Sequence, residues 1–87
     1  MWIWVFNGEG RSLPSGVFST RERAEAWIAQ HRLSGLLTAY PVDAGALDWA
    51  IAEGHYSPRR EITAGFRAGF TSGAQEHYHF NDGLRTG

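Results

Sequence analysis

Eighty-seven residues without a single cysteine, at a formal charge of −1, exclude thiolate metal sites, cysteine nucleophiles and disulfide scaffolds. The length is that of one small domain, residues 1–87, with residues 84–87 expected to fray as a tail. The near-neutral charge supplies no field to gather nucleic acid.

A core must therefore stand without covalent staples, which favours the cytoplasm as its compartment. Four Trp, three Tyr and five Phe provide the large side chains it needs. The apolar opening run is too short for a signal peptide or a membrane span, so no membrane role is expected. All eight basic residues are Arg.

Trp2 to Phe6 reads as a strand with both faces apolar, Trp2, Trp4 and Phe6 on one and Ile3 and Val5 on the other. Asn7-Gly8-Glu9-Gly10 and Pro14-Ser15-Gly16 are turn signals, and Val17-Phe18 pairs as a short second strand. The first helix starts at Ser19 as N-cap, with Glu22 completing a capping box. Ala24, Trp27, Ile28 and His31 form its inward stripe, and Gly35 is available for a left-handed end.

Leu36 to Val42 reads as a strand closed by Pro41. Asp43 caps a second helix over Ala44–Glu53, with Leu47, Ala50 and Ile51 inward and Trp49 widening the stripe. Ile62, Phe66 and Phe70 are spaced for a short third helix, weakened by Gly65 and Gly69. Glu76 to Phe80 is a last strand, stopped by Asn81-Asp82-Gly83. The sum is an α+β fold in the order β-β-α-β-α-(α)-β. Its mostly antiparallel sheet has three to four strands, the first placed centrally, with two or three helices on one face.

Several runs stand together in order: Trp4-Val5-Phe6-Asn7-Gly8, Pro14-Ser15-Gly16-Val17-Phe18, Leu37-Thr38-Ala39-Tyr40-Pro41-Val42-Asp43, Asp48-Trp49-Ala50 and Gln75-Glu76-His77-Tyr78-His79. Over about residues 4 to 83 the chain resembles a family of short bacterial proteins that form a domain of unknown function. The resemblance implies kinship and carries no catalytic residue.

His77 and His79 share a strand face, so both imidazoles could address one zinc ion. A third ligand would have to come from His55, His31, Asp48 or Asp82. Glu76 points to the opposite face, away from both imidazoles. Ser15 and Ser72 lack the setting of a nucleophile, and Asn7-Gly8-Glu9-Gly10 lacks that of a phosphate loop. Arg59, Arg60 and Arg67 are too few for a nucleic-acid site.

No complete catalytic set emerges. The leading reading is a non-enzymatic protein–protein interaction module, with another protein or a second copy (a homodimer) as partner. Its candidate contact residues are Trp2, Trp4, Phe6, Tyr78 and Phe80. The stripe of the first three can equally be core beneath the helices. An immunity or antitoxin-like role is one form of this reading, with acidic Asp43, Asp48 and Glu53 facing a basic partner. Two alternatives stand beside it: a small metal-dependent or His-assisted enzyme using His77 and His79, and a small-molecule sensor with an aromatic pocket.

Overall fold

The computed structural model describes residues 1–87 and shows an α+β fold. One antiparallel sheet contains β1 (Trp2–Gly8), β2 (Gly16–Phe18), β3 (Gly35–Pro41), β4 (His77–Asn81) and β5 (Leu84–Arg85). The spatial order is β2-β1-β3-β4-β5. The helices are α1 (Arg21–Gln30), α2 (Ala46–Ala52) and α3 (Ala64–Gly69). β1 is an interior strand, and the centre belongs to β3.

The sheet has one strand more than the sequence reading allowed. Residues 84–87, read as a frayed tail, return along β4: Asn81 pairs with Leu84 and Phe80 with Arg85. Thr86 N–H and the Gly87 carbonyl then bond His79 at 2.8 Å each. The turn is Asp82-Gly83, both at positive φ (51° and 83°), the geometry of a two-residue hairpin loop.

Register decides which side chains share a face. Trp4 lies opposite Phe18 and Ala39, Phe6 opposite Leu37, and Leu37 opposite Tyr78. This inner face receives α1, whose Ala24 and Ile28 close a core with Phe6, Leu37 and Phe80. Trp27 meets Phe6 edge-on at 5.7 Å and packs on Phe18 at 5.2 Å. Fully burying residues the size of Phe6, Ile28 or Leu37 stabilises by about 1.5–3 kcal/mol each. α2 reaches the same face further along, with Leu47 and Ala50 buried and Trp49 against Trp2. α3 packs locally: Phe66 and Phe70 flank Tyr56, and Arg67 pairs with Asp48.

Helix ends differ from expectation by a residue or two. Thr20, not Ser19, caps α1 and accepts from the Arg23 N–H. Arg32, not Gly35, takes the left-handed backbone after it (φ 54°). Gly45 stands at the N-cap of α2, because Asp43 itself adopts a left-handed turn (φ 62°). β4 begins at His77, one residue late. Glu76 instead gives only its carbonyl to the Ala39 N–H.

Gln75 is the buried polar side chain of the fold, 1% exposed. Its amide donates to the Ala39 carbonyl at 3.0 Å and accepts from the Ser72 N–H at 2.9 Å. It thereby pins the 71–76 segment to the part of β3 that β4 leaves unpaired. Gln75→Met keeps the volume and orphans both backbone groups, each at about 1–3 kcal/mol when left without a partner. A urea melt should show that loss with an unchanged m-value.

Candidate functional site

The inner face is not fully covered. Phe6 and Phe80 are core, 1% and 7% exposed, and present nothing to a partner. Trp2 is 40% exposed, and Trp4 and Tyr78 are half-buried. The aromatic stripe is thus core at one end and surface at the other, because α1 covers Phe6 while α2 reaches Trp2 only by its rim.

Trp2, Trp4 and Trp49 wall an open groove of about 400 Å³, with Ala39, Ala74 and Glu76 completing it. Trp2 and Trp49 meet at 5.2 Å with their planes at 88°. Trp4 stacks on Tyr78 at 6.1 Å. Tyr78 in turn carries two cations against its ring, Arg21 at 5.1 Å and Arg85 at 4.4 Å. The Tyr78 hydroxyl accepts from Arg21 at 2.9 Å and donates to Glu76. Tyr78 is the main cause of a raised Arg21 pKa, against the opposing pull of burial, with Glu25 and Glu76 adding to the rise. Arg21 therefore stays charged throughout the working pH range.

The outer face carries Ile3, Val5 and Asn7 from β1, Leu36, Thr38 and Tyr40 from β3, and His77 and His79 from β4. α1 and α2 pack on the opposite face, and the 71–75 segment that follows α3 borders this one beside Leu36, Thr38 and Tyr40. Val17 and Leu84, 61% and 72% exposed, extend this face to its two edges. The half on β3 and β4 is hydroxyl- and imidazole-bearing, and borders a trough of about 710 Å³ whose rim includes Glu9, Arg11 and Thr71.

A family model described as a domain of unknown function, DUF7710, matches residues 3–86. The chain belongs to that family. No curated protein and no solved structure matches it.

In this DUF7710 domain the Gln75-Glu76-His77-Tyr78-His79 run is divided between surfaces. Gln75 turns into the fold, Glu76 and Tyr78 serve the tryptophan groove, and His77 and His79 lie outside on the open face. The imidazoles meet edge-on at 5.9 Å, and His77 Nδ1 is engaged by the Gln75 carbonyl at 2.7 Å. No third metal-ligating side chain joins them. His31 packs on Trp27, His55 on Trp49, and Asp48 is paired with Arg67. Asp82 sits in the β4–β5 turn. Glu76 is held across the sheet by Arg21 and Tyr78, so no carboxylate orients either imidazole.

His77→Ala and His79→Ala should each change stability by no more than about 0.5 kcal/mol, as exposed positions do. Equimolar zinc should leave the wild-type melting temperature where it was. A zinc-dependent rise that the double variant abolishes would show a ligand set this geometry lacks.

Trp49, Gln75 and Arg21 are the site residues that reading the sequence did not single out. Trp49 was visible as a residue broadening the stripe of α2, but its meeting with Trp2 is a long-range contact without local signature.

Proposed function

We propose that the domain is a non-catalytic protein–protein interaction module, and that its contact surface is the outer face of the sheet. The observation that supports this most is the identity of the outward residues on β1. An antiparallel sheet that faces water on one side normally alternates apolar-in with polar-out. Here Ile3 and Val5 point outward from an interior strand, flanked by Val17 on β2 and Leu36 on β3.

An aliphatic centre bordered by Thr38, Tyr40, His77 and His79 has the make-up of a recognition patch, apolar inside and hydrogen-bonding at the rim. The edges argue for contact through the face rather than strand addition. β2 has three residues and β5 two, short edges of the kind that blunt edge-to-edge pairing. No helix is long and apolar enough to cross a membrane. The cytoplasmic, bacterial setting belongs to this proposal. The acidic-patch form of the reading, an immunity-type protein, is weakened by the pairing of Asp48 with Arg67.

Val5→Glu tests the reading, because it charges the middle of the face without touching the core. Sedimentation of the wild type should show concentration-dependent association, or a photo-crosslinker at position 5 should capture a defined protein in the source cells. Val5→Glu should abolish either result while its thermal melt stays cooperative. A monomer at all concentrations, with no adduct beyond that of a crosslinker at exposed Arg23, would refute it.

A further inference from the structure

The tryptophan groove lies on the other side of the sheet and stands independently of that proposal. It borders the hydrophobic core of Phe6, Ala24, Ile28, Leu37 and Phe80, against which Trp4 packs, and the core does not fill it. Three indoles keep part of their surface accessible around it, Trp2 at 40% exposed and Trp4 and Trp49 half-buried, in a domain short of material for its interior. Two small residues, Ala39 and Ala74, keep the space between them open. The single charged group on its wall is a carboxylate, Glu76, whose side chain is 54% exposed.

Indole faces carry negative electrostatic potential and attract cations, most effectively those that are weakly hydrated. The neighbouring ring displays the same chemistry within the chain, since Arg21 and Arg85 both settle against Tyr78. Two perpendicular indoles, Trp2 and Trp49, form a corner, and Trp4 and Glu76 offer further surface beside it. Arg21 reaches Glu76 at 3.5 Å without lining the groove. Its charge offsets part of the carboxylate's attraction, so recognition falls mainly to the indoles. This favours a methylated head over a compact ammonium, whose hydration shell the groove could not replace.

We infer that the groove formed by Trp2, Trp4, Trp49 and Glu76 binds an N-methylated ammonium group. The group would belong to a free small molecule or to a methylated lysine side chain, and the shared chemistry is the trimethylammonium head.

The test uses the intact domain and follows its indole N–H resonances by NMR during titration. Three probes are added separately: choline, a short peptide containing N-trimethyllysine, and 3,3-dimethylbutan-1-ol, the neutral carbon analogue of choline. Choline and the peptide should shift the Trp2 and Trp49 signals with Kd near about 1 mM or below. The neutral analogue should bind at least about fivefold more weakly, the share expected of a cation–π contact.

Tighter binding of the peptide than of choline would mark a modified protein as the source, and the reverse a small molecule. Ala74→Leu, which fills the groove from an exposed loop position, should remove binding with the melt unchanged. Glu76→Gln should weaken both cations and leave the alcohol unaffected. Equal affinity for choline and its neutral analogue would overturn the inference, leaving an apolar groove. So would indole signals unmoved by about 10 mM choline or peptide, roughly ten times the expected Kd.

Discussion

Gly35→Ala is expected to cost at least about 3 kcal/mol, the upper range for forcing extra volume into a packed site. Gly8 faces Gly35 at the end of the β1–β3 ladder. A Cβ on Gly35 would fall well inside contact distance of the Asn7 carbonyl oxygen, 2.7 Å from Cζ of Phe6 and 3.0 Å from Cα of Gly8. Two of those three neighbours are backbone, and the third is the ring of Phe6, 1% exposed. None can move without opening the β1–β3 ladder.

For a domain of this size, each kcal/mol lowers the melting temperature by roughly 4–8 °C. Circular dichroism melts of Gly35→Ala should therefore shift by more than about 12 °C, or show no cooperative transition. Gly8→Ala is the matched control. Its Cβ would touch only the flexible Arg11 side chain at 3.4 Å, an ordinary contact. Similar losses for both variants would mean that the effect belongs to glycine in a strand and not to this crossing.

Phe6→Ala should cost about 3–5 kcal/mol, while Trp2→Ala should cost about 1 kcal/mol. The two residues sit on one face of one strand, four residues apart. Phe6 is enclosed by Ala24, Ile28, Leu37 and Phe80, so its removal leaves a cavity in a core with little to spare. Trp2 loses chiefly its edge contact with Trp49. Total stabilities of domains lie at about 5–15 kcal/mol, so Phe6→Ala should remove a large share of the folding free energy. Guanidinium unfolding of the two variants side by side measures the difference. Comparable losses would place the tryptophan in the core and remove the groove as a binding surface.

Much of the strand and helix content was legible because it follows local rules. β1, β3, α1 and β4 came out within about two residues, from alternation, helical spacing and turn residues. β5 was missed although its signal was present. Asp82-Gly83 between Asn81 and Leu84 is a strong hairpin dipeptide, but a two-residue strand at a chain end has too little pattern to register. The shift of the α1 cap from Ser19 to Thr20 reflects two hydroxyls in a row, either of which satisfies the local rule.

The sequence by itself determined an α+β fold with helices matched to a small antiparallel sheet. It also determined a chemistry without thiols, and an interior strand apolar on both sides. Only the tertiary structure decided that Phe6 and Phe80 are core while Trp2 remains accessible, that Trp49 meets Trp2, and that His77 and His79 stand without a third ligand. Those outcomes depend on where α1 and α2 come to rest along the sheet. Periodicity reports which face a side chain takes; how far a helix extends over that face is set by contacts between residues distant in the chain.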